Sequence, residues 1–407
     1  MGMYYGWRIT AASFALLFIV VGMVYYGFPV FYAPLIAEFG WTRAQATAGF
    51  LYGMLLIGPI SSISSGYLID RYGPRRILLA GLIVGGGAFS GFASMQSLAA
   101  YYLFFFMETI GYTSSGPAPN QVLISHWFRR MRGRALGLAY MGTGVGGAIA
   151  PVFAEYMIRH YGWRAAMAAV AAAFFFVAIP VAIWVIRDRP AELGVYPDGD
   201  PSPDSFASEV ETPKSLGLRE AAGTPAFWLI LTGGIMYTGT VGGVIQHLQL
   251  FLRDQRYASQ DAARVASLLL LSSIAGRFIM GYLSDLTHKK NMMIVTCLLV
   301  GLPITLLYYP NLPGALTAFA ILFGFGLGSG HMLLPLITAH CFGLASLGRL
   351  MGVILTVTAA SQAFTPVLVG RFYDLQKSYH WGFAIMAAMA LLGATAVSFI
   401  PRRPQAG

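Results

Sequence analysis

Arg277 is the residue whose chemistry most needs an explanation. It alone interrupts an apolar stretch, 265–284, that carries no other charge. Along a helix rising about 1.5 Å per residue, it lies about 12 Å from Asp285 at the edge of that stretch. A guanidinium so deep in a bilayer costs several kcal/mol unless it faces a cavity, a partner or an anion. Its planar fork suits two-point binding of a carboxylate. The plainer alternative is a fixed charge paired within the protein.

Glu108 interrupts the stretch 98–124 in the same way and is the only acid in mid-span. A carboxyl in low dielectric can carry a proton. It can also neutralise Arg277, or be satisfied by hydroxyl and backbone groups of neighbouring helices. His331 sits inside Gly326-Leu-Gly-Ser-Gly330-His-Met. Imidazole titrates near physiological pH, so proton coupling or pH sensing competes with a hydrogen-bonded packing role. Asn120 and Gln121 follow Ser114-Ser-Gly-Pro-Ala-Pro119. The prolines there free backbone carbonyls, and the amides, like that of Gln362, either bind substrate or join helices. Tyr25, Tyr26 and Phe28 either wall a site or pack.

These residues need elements to hold them, and the composition says which kind. Of 407 residues, 57% are apolar and only 10% charged. That is too few charges to cover a water-facing surface, and too apolar for disorder. Two cysteines, Cys297 and Cys341, exclude a disulfide scaffold. Continuous apolar runs of about 20 residues argue for membrane helices, not for the short alternating strands of a barrel. The expectation is an all-α membrane protein with twelve transmembrane helices. Their approximate bounds are 9–32, 44–69, 77–95, 98–124, 135–156, 165–186, 226–251, 265–284, 292–309, 314–340, 350–372 and 382–400. The first run lacks the small-residue cleavage site of a signal peptide and reads as a retained helix.

With both termini on the cytoplasmic side, 17 basic residues fall inside and 8 outside. This satisfies the positive-inside rule. It also accounts for the net charge of +10 without invoking nucleic acid.

Segment 188–225 departs from the rest. It carries Asp188, Glu192, Asp198, Asp200, Asp204, Glu209, Glu211 and Glu220, with six prolines. It reads as an exposed cytoplasmic linker between a six-helix bundle at 1–187 and another at 226–407. An internal repeat supports the division. Gly66 and Asp70 recur as Gly281 and Asp285, Gly133-Arg134 as Gly348-Arg349, Gly137 as Gly352, and Pro151 as Pro366, each 215 residues on. Two bundles repeated in this order suit alternating access to a site between them. Glycines at 142, 144, 146 and 147, and at 324, 326, 328 and 330, permit close helix approach.

Gly66-Tyr-Leu-Ile-Asp70-Arg71-Tyr-Gly73-Pro-Arg75-Arg76 resembles the loop motif of the major facilitator superfamily, at the helix 2–3 position that family requires. The second copy is degenerate, with His288, Lys289 and Lys290. Phe39-Gly-Trp-Thr-Arg43-Ala and Trp127-Phe-Arg-Arg-Met-Arg132-Gly-Arg134-Ala-Leu-Gly137 resemble the monocarboxylate transporter and oxalate/formate antiporter-like group. Arg187-Asp-Arg-Pro-Ala-Glu-Leu-Gly-Val-Tyr-Pro-Asp-Gly199 is similar to the segment after helix 6 in bacterial members.

The resemblance implies the superfamily's fold of two bundles. It also implies a substrate-binding arginine in helix 8, which Arg277 matches. It implies a cytoplasmic gate built from Gly66, Asp70, Arg71, Arg75, Arg76, Arg134, Asp285 and Arg349. Two departures bear on substrate. Ser273 stands where many animal members carry an aspartate, and helix 11 has no lysine of the kind oxalate exchangers use. One buried cation matches one carboxylate.

The expected function is therefore secondary transport of small monocarboxylates such as lactate or pyruvate. Symport with protons through a rocker-switch cycle is the expected mode. Arg277, Ser273, Asn120, Gln362, Tyr25, Phe28 and His331 are expected at the substrate, with Glu108 and His331 in proton coupling. The alternative is organic anion exchange without protons. A non-transporting receptor lacks a visible signalling domain. An enzyme lacks metal, nucleotide and dinucleotide motifs, so neither cofactor nor metal is expected. The expected setting is a monomer in a prokaryotic inner membrane, with lipid, substrate and protons as its partners.

Overall fold

The computed structural model describes residues 4–200, 216–257 and 259–401. Lys214, Arg402 and Arg403, counted above as inner positive charges, lie outside the described residues, as do Asp204, Glu209 and Glu211. Among the described residues every regular element is helical.

Among the described residues the chain forms twelve long helical passages. They are α1 Tyr5–Phe39, α2 Gln45–Tyr72 and α3 Pro74–Ser94, then α4 in two pieces, Leu98–Ser115 and Pro117–Trp127. A continuous helical run, Arg132–Trp184, contains α5 (132–161) and α6 (163–184). Gly162, at φ 83°, turns the chain between them. The remainder are α7 Pro225–Asp254, α8 Ser259–Leu286, α9 Lys289–Tyr308, α10 Ala315–Phe342, α11 Leu347–Gln376 and α12 His380–Ser398. Six of the expected spans fall inside these helices; the other six, 44–69, 77–95, 165–186, 292–309, 314–340 and 382–400, overrun one end by one or two residues. Ten of the helical runs are long and apolar enough to cross a membrane. Twelve passages fit ten runs because one run holds α5 and α6, and broken α4 counts in neither piece.

The structure divides into two compact units. The first comprises Met1–Glu211 with Leu347–Val353, the second Thr212–Ser346 with Ile354–Gly407. This differs from the expected division at 187/188 and 225/226 in two ways. Residues 188–200 pack with the first bundle instead of hanging free, and Asp198 is buried there. The first turns of α11 also belong with the first unit.

Close helix contacts position the polar groups. In the second unit, α8 and α10 approach so tightly that a Cβ on Gly276 would stand 2.2 Å from the Phe325 carbonyl oxygen. One on Gly328 would stand 1.9 Å from that of Ser273. Only glycine permits this approach, and it fixes the helix face that carries Ser273 and Arg277. Hydroxyls lace α7 to α11. Thr238 donates to the Thr358 carbonyl at 3.0 Å, Ser361 to that of Ile235 at 2.9 Å and Thr365 to that of Gly239 at 2.7 Å. Such bonds replace the hydrophobic drive that lipid does not supply between helices.

Candidate functional site

The sequence-derived candidates fall into groups, each described within its own unit. In the second unit Arg277 is buried, at 7% exposure. Its guanidinium donates to the Ser273 hydroxyl at 2.9 Å, one helical turn away on α8. The Ser273 hydroxyl in turn donates to the Leu270 carbonyl at 2.7 Å. The serine thus orients Arg277 without neutralising it. His331, on α10, is within electrostatic reach of Arg277. Its ring meets Tyr237 edge to face, with centroids 5.9 Å apart. The Tyr237 hydroxyl donates to the Leu327 carbonyl at 2.8 Å. So α7, α8 and α10 bring Tyr237, Ser273, Arg277 and His331 into one polar cluster. Tyr237 escaped the sequence reading because it is one aromatic in a charge-free stretch, with no spacing to mark it. Gln362, on α11, is half-buried, and its backbone carbonyl lies against Gly242.

In the first unit Glu108 is 5% exposed, and its Oε1 has no hydrogen-bond partner among the described residues. The phenols of Tyr32 and Tyr112 lie within its electrostatic reach. A buried carboxyl with an unmet oxygen is costly when charged and tolerable when protonated.

Nearby in sequence, α4 breaks at Gly116. Pro117 and Pro119 have no N–H to offer. The Asn120 Nδ2 group fills the gap, donating to the carbonyls of Ser115 at 3.1 Å and Gly116 at 2.7 Å. That use of the amide leaves only Oδ1 for anything else, and Oδ1 is buried without a partner among the described residues. Tyr25 stacks edge to face on Tyr26 and Phe50. Phe28 is enclosed by Phe31, Tyr32, Phe89, Phe92 and Phe105, a packing environment.

The loop motif is the best-defined arrangement. Asp70 accepts from the backbone N–H of Gly348 at 2.8 Å and of Arg349 at 3.0 Å, and from Arg349 Nε at 2.9 Å. These N–H groups open α11, whose own N-cap, Ser346, makes no side-chain cap bond. Asp70 therefore does the capping from another helix, where the helix dipole also favours a negative charge. Gly66 makes the approach possible, since a Cβ there would stand 2.4 Å from the Gly348 carbonyl oxygen.

Arg71 is exposed beside Tyr67 and Tyr72, and Arg76 is exposed. Arg75 donates through its backbone N–H to Asp188 and through its guanidinium to the Ile183 carbonyl. Burial raises the Asp188 carboxyl from its ordinary value, and the Arg75 N–H bond pulls it back only in part. Arg134 is half-buried in the first turn of α5, and Asp285 is half-buried in the last turn of α8. Among the described residues no cluster of His, Cys, Asp or Glu has the makings of a metal site.

A family model described as Major Facilitator Superfamily matches residues 14–299 and 257–407. The fujikurins efflux protein of Gibberella fujikuroi is 30% identical over 86% of this chain and 70% of its own length. Monocarboxylate transporter 13 of Bos taurus is 27% identical over 98% of this chain and 89% of its own. In three dimensions, the proton:xylose symporter XylE superposes with a TM-score of 0.72 at 13% identity, covering 98% of this chain and 96% of that one. That likeness extends to the fold. The two relatives come from a fungus and a mammal, so they lend no support to a prokaryotic host.

Proposed function

Because the chain belongs to the major facilitator superfamily of membrane transporters, we propose that it is a secondary active carrier for small monocarboxylates, coupled to protons. It is a multi-pass membrane protein and not an enzyme. The observation that carries the reading is Arg277, a buried guanidinium oriented by a neutral serine. One such fork binds one carboxylate through paired charge-assisted hydrogen bonds. A substrate with a second carboxylate would bring a charge that no second buried arginine or lysine on α11 answers.

Glu108 takes the proton. What supports this is a buried carboxyl oxygen without a partner among the described residues, in a low-dielectric setting. Further substrate contacts are His331 and Gln362 in the second unit and Asn120 Oδ1 and Tyr25 in the first. The Asp70 hold on the start of α11 is the gate, on the side we take as cytoplasmic. Arg71, Arg75, Arg76 and Arg134 are its further members in the first unit, Asp285 is the corresponding acid of the second, and we take both termini as cytoplasmic. The halves rock about the loaded site, and the gate breaks as the site opens inward. The setting is a plasma membrane, and the working unit is a monomer.

The test is uptake of labelled L-lactate into proteoliposomes with and without an inward proton gradient. The account requires faster uptake with the gradient. No uptake under either condition overturns the lactate-type assignment. Organic anion exchange without protons is the second reading, supported by the resemblance of the Trp127–Gly137 motif to the oxalate/formate antiporter-like group. It requires uptake only into vesicles preloaded with a carboxylate, indifferent to the gradient.

A further inference from the structure

The motif Arg187–Gly199 has no part in the half-sites or in the Asp70 gate, yet it is one of the most heavily anchored segments of the first unit. At its start, Asp188 Oδ1 accepts from the backbone N–H of Arg75 at 2.7 Å, in the first turn of α3. Gly73, just before that turn, has φ 87°, and a Cβ there would stand 2.5 Å from Asp188 Oδ2. The loop motif is thus moulded around this carboxylate.

At the other end, Asp198 Oδ2 accepts from the N–H groups of Arg129 and Arg130 at 2.9 and 2.8 Å. Its Oδ1 accepts from Met131 N–H at 3.2 Å. These three donors form the turn between α4 and α5. Asp198 reaches them from φ 61°, a conformation that costs a residue with a side chain and persists only where its surroundings hold it. Asp200 adds an ion pair to Arg130 at 2.6 Å.

The length between the two anchors is itself tied down. The Trp127 indole donates to the Arg187 carbonyl at 2.8 Å. The Tyr4 hydroxyl contacts the carbonyls of both Trp127 and Tyr196, at 2.9 and 3.1 Å. Glu192 accepts from the Arg189 N–H at 3.1 Å, closing the turn Pro190–Leu193.

We infer that residues 187–200 are a brace that makes the α2–α3 loop and the α4–α5 turn move as one piece, with Asp188 and Asp198 as its positioning residues. The bonds run from short carboxylate side chains to backbone N–H groups, so neither end can swing away as a long side chain can. Displacing Arg75 and the gate loop drags the brace. The brace then drags the turn that leads into Arg134. The functional consequence, a coordinated gate, rests on the carrier reading above. The mechanical link does not.

Hydrogen exchange on the full chain, without substrate, tests the link directly. In Asp198→Ala the amides of 129–131 lose their acceptor and should exchange about tenfold faster or more. The deciding observation is remote: amides 75–78 at the start of α3 should also speed up. Asp188→Ala should do the reverse, loosening 129–131 from the other end. Asp198→Asn keeps one acceptor oxygen and should show the same pattern more weakly. It carries the test if the alanine variant does not fold. Acceleration confined to the amides beside each substitution would overturn the brace and leave two unrelated caps. Failure of lactate uptake would overturn the proposed substrate without touching this result.

Discussion

The two units hold opposite halves of the polar chemistry. The first buries acceptors, Glu108 Oε1 and Asn120 Oδ1, neither with a partner among the described residues. The second buries a cation, Arg277, with a hydroxyl and an imidazole around it. In the proposed cycle Arg277 of the second unit takes the substrate carboxylate and Glu108 of the first takes the proton. If those roles hold, carboxylate binding and proton coupling rest on different units, and each assignment can be broken alone.

The largest expected effect is on Arg277. Losing two charge-assisted hydrogen bonds to a carboxylate, about 3 kcal/mol in all, should cut uptake about a hundredfold in Arg277→Ala. Arg277→Lys keeps the charge but not the fork and should fall between. Equal uptake by all three would place the carboxylate elsewhere.

Glu108→Gln should act on coupling alone. It should abolish the gradient's acceleration of uptake while leaving exchange between preloaded vesicles running. Loss of both activities would instead mark Glu108 as part of the substrate site.

Asp70→Ala removes the acceptor from two backbone N–H groups and one guanidinium. It should cost about 2–4 kcal/mol of stability, read as a drop of several degrees in the thermal midpoint. Asp70→Asn, which keeps one acceptor oxygen, should lose less.

The smallest effect concerns Asp188. Its carboxyl in the folded protein titrates above the ordinary value of 3.8, chiefly through burial. The folded state therefore holds this proton more tightly than the unfolded chain. Stability falls as pH rises from 3.8 through the raised value, and stays lower above it. Asp188→Asn cannot titrate, and its thermal midpoint should lack the decline that begins as pH rises above 3.8. An unchanged decline would assign it to another group.

Much of this was legible in the residues because lipid imposes a simple grammar. Charge-free runs mark passages, so the α10 estimate of 314–340 nearly matches Ala315–Phe342. Arg277 and Glu108 stand out because a charge in such a run is conspicuous. The break in α4 was signalled by Pro117 and Pro119, but the means of healing it was not. Nothing in the sequence says that the Asn120 amide bends back onto the Ser115 and Gly116 carbonyls. The 187–200 segment was misleading for a physical reason. Acids and prolines are the composition of a solvated linker, and the same residues become anchors when backbone N–H groups lie within reach. Asp198 lies inside the segment expected to be an exposed linker, yet it is buried. Tyr237 shows the converse limit: an aromatic in an apolar run carries no mark of the hydrogen bond it makes.

Equilibrium binding of labelled L-lactate to purified Arg277→Ala, Glu108→Gln and native protein tests the division between the units most directly. The account predicts that Glu108→Gln binds as the native protein does and that Arg277→Ala does not bind measurably. Native-like binding by Arg277→Ala, or loss of binding in Glu108→Gln, would contradict it.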